Sequence, residues 1–327
     1  MIAVTGANGL LGSFIVRQLV YTKQPFIAIK RKDSDIHLLY DITQHITWRE
    51  ADILDPVSFE EALQGVTQVI HCAAMVSFNP AHERKIMDIN VIGTRNTINA
   101  SLANNVKRFV YISSVAALGR QKDQSFIDET NKWIDSPQNT VYAKSKYYAE
   151  LEVFRGNEEG LNTVILNPSV ILAAADWNKS SGQIFKYVWD ERSFYIDSYL
   201  NYVDVRDVAD IAVKLLNHSA SNERFIVSAG NISIVELFSS IARRFNKKQP
   251  TIKLNRNLVQ FAAFTENIRA KLSGSEPLIT KETARLAGTR FAYNNNKITR
   301  LLDFSFKPID DSVSWCCDYY LKHHDKK

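Results

Sequence analysis

Short apolar runs alternate with longer amphipathic stretches over the first 170 residues of the chain. The apolar runs predict strands at 1–5, 26–30, 46–51, 67–71, 107–113 and 162–166. The stretches between them place apolar residues at helical spacing and predict helices at about 10–22, 56–63, 82–104 and 137–156. Strands and helices that alternate in this way form a parallel sheet with helices on both faces. We therefore expect an α/β, Rossmann-type doubly wound fold.

The alternation ends after Pro168. A helix from Val205 to Asn217 and a short strand from Arg224 to Ser228 are expected to rejoin the sheet, while the remaining segments suggest a smaller lobe rich in helix and loop. The predicted division is 1–170 with about 203–230 for the sheet domain, and 171–202 with 231–327 for the smaller, interleaved C-terminal lobe. The boundary between the two is therefore not a single cut in the sequence.

The composition, 45% hydrophobic and 23% charged over 327 residues, is that of an ordinary soluble globular protein. The net charge of +5 suits a phosphate-bearing ligand but does not indicate nucleic acid. Cys316 and Cys317 are adjacent, and His71 and Cys72 have no partner at ligand spacing, so no metal or disulfide is predicted. No apolar run could span a bilayer, and the first strand starts at Met1. We expect a cytoplasmic protein without membrane association.

Three glycines, Gly6, Gly9 and Gly12, follow the first strand and lead into the first helix. Glycines allow a tight turn and let a pyrophosphate approach the backbone, and the start of a helix offers unpaired N–H groups and a positive dipole end. The alternative is a glycine-rich turn without a ligand. The expected cofactor contacts in this segment are Gly6, Asn8, Gly9, Leu10, Leu11 and Gly12.

The residues after the second strand distinguish between two dinucleotides. Lys30, Arg31 and Lys32 stand where enzymes that prefer NAD place an acid. A guanidinium can hold the 2′-phosphate of NADP with two hydrogen bonds, so we predict NADP with Arg31 as the main contact and Lys32 beside it. NAD stays open, because Asp33 or Asp35 could supply an acid if the turn folds back. A solvated basic turn is the other alternative.

Two further strand ends are expected to meet the cofactor. Asp52, followed by Ile53, can accept a hydrogen bond from the adenine amino group. Ala73 and Ala74 are small enough for a dinucleotide to lie against the backbone, although core packing explains them equally well. Both pairs therefore join the predicted cofactor site.

Tyr142 and Lys146 are four residues apart on one face of a predicted helix. The ammonium favours the phenolate, so such a tyrosine can exchange a proton nearer neutral pH than its usual pKa of about 10 allows. The fifth strand ends in Ser113 and Ser114, where a hydroxyl can donate to a substrate carbonyl oxygen. Each feature alone is weak, because tyrosine and lysine are common surface residues and paired serines often cap turns.

Several motifs run along nearly the whole chain in one order. They are Thr5-Gly6-x-x-Gly9-x-x-Gly12, Asn90-Val-Ile-Gly-Thr94, Ser113-Ser-Val-Ala-Ala-Leu-Gly119, Tyr142-x-x-x-Lys146, Asn167-Pro168-Ser169-Val170 and Tyr202-Val-Asp-Val-Arg-Asp-Val-Ala209. With this set the chain resembles the extended short-chain dehydrogenase/reductases, also called the NAD-dependent epimerase/dehydratase family. The segment Ile70-His-Cys-Ala-Ala-Met-Val-Ser-Phe78 is most similar to the dihydroflavonol-reductase and 3β-hydroxysteroid-dehydrogenase-like branch.

The resemblance implies a role for each matching catalytic residue. Tyr142 is the expected general acid/base. Lys146 is expected to hold the nicotinamide ribose hydroxyls and to lower the pKa of Tyr142. Ser114 is expected to orient the substrate oxygen, with Ser113 as the alternative if the alignment slips by one residue.

The resemblance also implies that Pro168 and Ser169 shape the nicotinamide pocket. One departure stands beside them, since the family often has Arg where this chain has Asn167. The expected substrate lining is Val76, Ser77 and Phe78 with residues 171–200. Aromatic-rich stretches at Phe185 to Trp189 and Phe194 to Tyr202 favour a moderately apolar substrate.

The predicted function is NADPH-dependent reduction of a ketone or aldehyde, or the reverse oxidation of an alcohol. The alternative is a nucleotide-sugar epimerase or dehydratase with tightly bound NAD. A third hypothesis is a protein that senses dinucleotides without catalysis, although such proteins usually lose the Tyr or Lys that this chain keeps. The expected partner is a small carbonyl or alcohol, and the resemblance allows a homodimer. The sequence does not identify the substrate.

Overall fold

The computed structural model describes residues 1–77, 79–119, 124–136, 139–177, 179–254 and 291–324. The strands, numbered along the chain, are β1 (Ile2–Thr5), β2 (Phe26–Lys30), β3 (Thr47–Glu50), β4 (Gln68–His71), β5 (Arg108–Ile112), β6 (Phe126–Ile127), β7 (Thr163–Pro168), β8 (Val170–Leu172), β9 (Phe194–Ile196), β10 (Tyr199–Asp204), β11 (Glu223–Val227), β12 (Gly230–Ser233), β13 (Ile252–Leu254) and β14 (Ala292–Tyr293). The α-helices are α1 (Leu10–Tyr21), α2 (Pro56–Ala62), α3 (Glu83–Met87), α4 (Gly93–Ala103), α5 (Val141–Glu158), α6 (Gly182–Trp189), α7 (Val205–Leu215), α8 (Ile234–Phe245), α9 (Asn296–Leu302) and α10 (Ile309–His324).

Seven strands form one parallel sheet in the order β11-β7-β5-β4-β1-β2-β3. β1 lies between β2 and β4, with Thr5 beside Ile29 of β2 and beside His71 of β4. The chain runs outward from β1 in one direction through β3 and then in the other direction through β4, so the strand order reverses between β1 and β4. Ligands of such sheets bind in the crevice at this point, outside the carboxyl ends of the strands. The predicted doubly wound α/β fold is confirmed.

Two hydrophobic clusters cover the two faces of the sheet. One contains Leu19 of α1 and Ile211 of α7, and the other contains Phe59 of α2 and Ile98 of α4. These four side chains are fully buried. Burial of one such side chain contributes about 1.5–3 kcal/mol, so the clusters hold the carboxyl ends of the strands in fixed positions.

The single helix expected at 82–104 is divided. α3 is followed by a π-helical turn, Asp88–Ile92, and then by α4. Within this turn the Asn90 side chain accepts from the Met75 N–H at 2.7 Å and donates to the Met75 carbonyl at 3.0 Å and to Ser145 Oγ at 2.9 Å. The wider turn directs the Asn90 side chain toward the loop after β4. Single π-helical turns of this kind are frequent at functional sites.

The smaller lobe contains more strand than expected. β12, β10 and β8 form a three-stranded sheet, and β13 pairs with β9. Each of these strands has six residues or fewer, too short for the sequence to show a clear alternation. Phe185, Leu237 and Tyr320 lie in the core of the lobe, whereas Ile298 and Phe304 pack into the core of the main sheet. The division into two domains stays a prediction.

Within the described ranges, no helix has both the length and the apolar character that crossing a bilayer requires. In the same parts of the chain, no three His, Cys, Asp or Glu side chains converge closely enough to hold a metal ion.

Candidate active site

The glycine turn lies against the end of β4. Gly6 has a φ of +62°, and a Cβ at this position would lie 2.8 Å from the Ala73 backbone. A Cβ on Gly12 would lie 2.1 Å from the Gly6 carbonyl oxygen. The Gly9 N–H donates to that oxygen at 2.9 Å. Larger residues therefore cannot build this turn, as predicted from the spacing.

α1 begins directly after Gly9 and has no side-chain cap at Gly9 and no acidic residue in its first turn. Leu10 and Leu11 supply the first backbone N–H groups of the helix. An uncapped helix start beside a glycine cradle offers N–H donors to a pyrophosphate. The described residues thus fit the phosphate part of a dinucleotide.

The three cations at the end of β2 have different surroundings. Lys30 Nζ lies 2.7 Å from the Glu50 carboxylate, whereas Arg31 and Lys32 are exposed. The Lys30 hydrogen bond holds the pKa of Glu50 below its usual value, with further help from the charges of Lys30 and Lys32. Arg31 and Lys32 are therefore the two exposed cations at the end of β2.

The acids that could replace these cations lie in the same turn. Asp33 has a left-handed φ of +57°. The Asp35 carboxylate accepts from the His37 N–H at 2.9 Å and lies 2.6 Å from the His37 ring nitrogen. Its carbonyl oxygen accepts from the Asn8 side chain at 2.9 Å. The turn does fold back toward the glycine turn, but the Asp35 carboxylate is engaged by His37.

The residues that follow β3 and β4 are the other predicted cofactor contacts. Asp52 accepts from the Leu54 N–H at 2.9 Å, and the Ile53 side chain is buried. The Ala73 N–H donates to Thr5 Oγ1 at 3.2 Å, while Ala74 is exposed. Both predicted pairs therefore follow the carboxyl ends of their strands, and Ala73 lies against Gly6.

Ser114, Tyr142 and Lys146 meet at the end of β5. Thr140 caps α5 by accepting from the Ala143 N–H at 2.8 Å, which fixes the helix start beside Tyr142. The Tyr142 and Ser114 side chains are joined by a hydrogen bond. Lys146 Nζ donates to the Ile112 carbonyl oxygen at 2.8 Å, two residues before Ser114. The structure thus brings together the three residues to which the family resemblance assigns catalysis.

Burial controls the protonation of the site. It raises the pKa of Tyr142 above its usual value, and the hydrogen bond with Ser114 opposes it only in part. The Lys146 ammonium is directed at the Ile112 carbonyl, and the lowering of the Tyr142 pKa by Lys146 stays a prediction. Burial also lowers the pKa of Lys146 to about 8, against the raising effects of Glu150 and Cys72.

The two serines after β5 point in different directions. Ser114 caps a short 3₁₀ helix, with its hydroxyl accepting from the Ala116 N–H at 3.1 Å. Ser113 donates to Glu150 Oε1 at 2.5 Å. Ser114, and not the alternative Ser113, therefore faces Tyr142.

A buried chain of polar groups lies behind the site. The His71 ring nitrogens lie 2.7 Å from Thr5 Oγ1 and 3.1 Å from Thr94 Oγ1. Thr94 is hydrogen-bonded to Tyr111, whose hydroxyl accepts from Lys146 Nζ at 3.3 Å. Burial, with help from the Lys146 charge, lowers the pKa of His71 to about 3, so the ring is neutral. His71 thus links β1, through Thr94 and Tyr111, to the lysine.

Pro168 and Ser169 lie at the end of β7. Ser169 is 6% exposed, and its hydroxyl has no hydrogen-bond partner among the described residues. An unpaired buried hydroxyl at this edge of the sheet fits a polar group of a ligand such as a nicotinamide.

The residues predicted to line the substrate site differ in their exposure and in their hydrogen bonds. Val76 is 59% exposed, whereas Ser77 is buried and its hydroxyl lies 2.9 Å from the His82 ring nitrogen. Ser77 is thus engaged by its own loop, which does not favour a substrate contact. Phe78 lies outside the described residues. Phe185 is fully buried in the lobe core, so the first aromatic stretch reflects packing and not substrate preference.

Sequence reasoning missed Tyr111, Glu150 and Arg224, which lie behind the catalytic residues. Glu150 is one helical turn after Lys146, so extending the spacing of Tyr142 and Lys146 by a further turn would have found it. No local pattern distinguishes Tyr111 in its apolar strand, and Arg224 reaches the site only through strand pairing.

The chain is similar to reductases along most of its length. It shares 27% identity with a putative dihydroflavonol 4-reductase from Synechocystis sp. over 330 residues, covering 98% of this chain and 94% of that protein. It shares 30% identity with cinnamoyl-CoA reductase 1 from Petunia hybrida over 258 residues, covering 73% and 76%.

A solved structure of UDP-glucose 4-epimerase with UDP-glucose from Thermotoga maritima has a similar fold, with a TM-score of 0.80, 17% identity and coverage of 99% of both chains. At that identity the likeness shows the fold alone. The family model described as NAD dependent epimerase/dehydratase family matches residues 2–229. The chain therefore belongs to this family, and the predicted family and NAD(P)-dependent oxidoreductase class are confirmed.

Proposed function

We propose that this protein reduces a ketone or an aldehyde with NADPH, with the reverse alcohol oxidation as the same reaction run backward. The observation that carries the proposal is the hydrogen-bonded pair of Ser114 and Tyr142 beside the buried Lys146. When bound, the cofactor supplies the hydride. The relatives named above as reductases support the same reaction class.

The protonation states favour the direction of reduction. The raised pKa of Tyr142 keeps its phenol protonated near neutral pH, which suits a proton donor to the substrate oxygen. Ser114 donates a hydrogen bond to the same oxygen and stabilises its developing negative charge. Lys146, with a pKa of about 8, is mostly charged at neutral pH and stabilises the phenolate that remains.

We propose NADP as the preferred cofactor, with Arg31 as the main contact to the 2′-phosphate and Lys32 beside it. The proposal is supported by the engagement of Lys30 with Glu50, which leaves two exposed cations at the end of β2. The residues that would line the pyrophosphate are Gly6, Asn8, Gly9, Leu10, Leu11 and Gly12. Asp52 and Ile53 would meet the adenine, and Ala73 and Ala74 would let the dinucleotide lie against the backbone. Pro168 and Ser169 would shape the nicotinamide pocket.

Arg31→Ala tests the cofactor assignment. A charge-assisted hydrogen bond is worth about 1.5–3 kcal/mol, so the Kd for NADPH should rise about tenfold or more, while the Kd for NADH changes little. Lys107→Ala is the matched control, because Lys107 is exposed at the opposite edge of the sheet, just before β5. Equal weakening of both cofactors in Arg31→Ala contradicts the assignment.

Turnover of a panel of ketones and aldehydes with NADPH tests the reaction. Tyr142→Phe should lose turnover of every active member, and Tyr148→Phe, an exposed tyrosine on the same helix, should keep it. Conversion of a UDP-sugar with tightly bound NAD and no net change in cofactor absorbance would overturn the proposal in favour of an epimerase.

Substrate class and assembly are narrower proposals. We propose a carbonyl compound that enters past Val76, which is exposed beside the loop after β4. We also propose a homodimer, supported by the family resemblance and by Leu151 of α5, which is 45% exposed. Light scattering of the purified chain tests the dimer, and a monomeric mass at micromolar concentration rejects it.

A further inference from the structure

Glu150 is a buried carboxylate on the same helix as the catalytic residues. It follows Lys146 by one turn of α5 and is 1% exposed. Its Oε1 atom accepts from Ser113 Oγ and from Asn167 Nδ2, both at 2.5 Å. Two donors on one oxygen favour the ionised form, although burial raises the pKa of this group. A buried charge of this kind persists only with partners, so its partners show what it does.

The hydrogen bonds of Glu150 lead to the backbone of Ser114. Ser113 is adjacent to Ser114 in sequence, and Asn167 Nδ2 also donates to the Ser114 carbonyl oxygen at 2.9 Å. The carboxylate therefore holds Ser114 from two sides. The direction of the Ser114 hydroxyl toward Tyr142 depends on this backbone.

The cations around Glu150 come from two elements. Arg224 of β11 lies 3.5 Å from Glu150 Oε2, which has no hydrogen-bond partner among the described residues. The Arg224 guanidinium is fixed by donation to the carbonyl oxygens of Glu129, at 2.8 Å, and Asn131. Lys146 is the second cation, and the carboxylate acts on it through charge and not through a direct hydrogen bond.

The arrangement also explains the departure at Asn167. The Arg often found at this position of the family would bring a positive charge to β7 near the Glu150 carboxylate. In this chain β11 pairs with β7 so that Ile226 lies beside Asn167 and Arg224 lies beside Ile165. The cation thus comes from the neighbouring strand, and Asn167 is left to bridge Glu150 and Ser114.

Other ionisable groups face Lys146. Tyr111 accepts from its Nζ, the Lys146 charge acts on His71 and Cys72 at the end of β4, and Tyr142 precedes Lys146 by one turn of α5. His71 is neutral, and burial raises the pKa of the Cys72 thiol to about 12 and the pKa of Tyr142 above its usual value. Glu150 is therefore the carboxylate on the same helix whose charge raises the pKa of the buried lysine.

We propose that Glu150 is a positioning residue that keeps Lys146 protonated and holds the Ser114 backbone so that its hydroxyl meets Tyr142. This inference rests on the proposed function, because it assigns a role within that catalytic site. Glu150 touches neither reacting atom, and it acts through Lys146, Ser113 and Asn167.

Glu150→Gln keeps the shape of the side chain and removes its charge. In the ligand-free protein, NMR of carbon-13-labelled lysine should show Lys146 titrating near pH 8 in the wild type and about one pH unit or more lower in the variant. Glu152→Gln is the matched control, because Glu152 lies on the same helix and pairs with Arg155 at the surface. Its Lys146 titration should match the wild type.

Turnover provides the second readout. A shift of one unit would lower the charged fraction of Lys146 at pH 8 from about one half to about one tenth, so kcat falls about fivefold while KM for the carbonyl changes little. The alkaline limb of the kcat profile should move to lower pH by the same amount. Glu150→Asp keeps the charge and should restore the Lys146 titration toward the wild-type value.

Identical Lys146 titrations in wild type and Glu150→Gln overturn the inference. If Glu150→Gln does not fold, carbon-13 labelling of glutamate in the wild type decides, since a Glu150 carboxyl that is protonated at pH 7 also overturns it. Neither the lysine titration nor the glutamate titration depends on catalytic turnover. Failure of the proposed function would instead appear as an inactive wild type, with the coupling between Glu150 and Lys146 still measurable.

Discussion

Among the three glycines of the turn, Gly12 leaves the least room for a Cβ atom. Gly12→Ala is therefore the substitution that crowds the turn most. The added Cβ would lie 2.1 Å from the Gly6 carbonyl oxygen and 2.8 Å from its carbonyl carbon. Non-bonded carbon contacts are favourable at about 3.5–4.0 Å, so the backbone of the turn must move by more than about 1 Å. Overpacking of this kind typically costs about 1–3 kcal/mol of stability.

The same movement spreads the N–H groups that are proposed to hold the pyrophosphate. In the wild type, NADPH at 100 times its Kd should raise the free energy of unfolding by about 2.7 kcal/mol. Urea unfolding with and without NADPH measures both effects. We expect Gly12→Ala to be less stable without NADPH and to gain almost nothing when it is added.

Two matched variants calibrate this result. On Gly9 an added Cβ meets the Gly6 oxygen at 3.1 Å, so the penalty should be smaller, and on Gly230 it meets only the Tyr202 ring at 3.8 Å. Gly230→Ala should bind NADPH like the wild type. If Gly12→Ala gains the wild-type stabilisation from NADPH, the assignment of the glycine turn to the cofactor fails.

Two further predictions concern stability. Because burial lowers the pKa of His71 from 6.5 to about 3, the unfolded chain binds a proton that the folded chain does not, so stability should decline as pH falls from about 6.5 toward 3. Urea unfolding across this range measures the decline, and an equally steep decline in His71→Gln contradicts its assignment to His71. Asn90→Ala removes three hydrogen bonds and leaves the Met75 backbone groups unpaired, so we expect a loss of about 1–3 kcal/mol in the same assay. Asn99→Ala, on the surface of α4, should lose much less, and equal losses in the two variants contradict the role of Asn90.

The features that the sequence predicts well depend on local order. The six strands predicted in the first 170 residues and the helix that carries Tyr142 and Lys146 each have a periodic pattern or a turn motif of their own. The glycine turn is equally local, since its three residues must touch one another and the end of β4. Short segments of this kind encode their own geometry.

The features that were missed depend on residues distant in sequence. The π-helical turn at Asn90 forms because that side chain binds the loop at Met75. Arg224 reaches Glu150 only because β11 pairs with β7. The raised pKa of Tyr142 follows from burial by the assembled fold, which outweighs the lowering effect of the hydrogen bond with Ser114. No local spacing contains that information.

The most direct test of the account is isotope transfer from NADPH that carries deuterium at the reactive C4 position. With an active carbonyl substrate, we expect one deuterium at the carbinol carbon of the product for each NADPH consumed. Tyr142→Phe should slow this transfer about 10²–10⁴-fold while the Kd for NADPH stays nearly unchanged. A product without deuterium, or transfer at the wild-type rate in Tyr142→Phe, would contradict hydride transfer with Tyr142 as the proton donor.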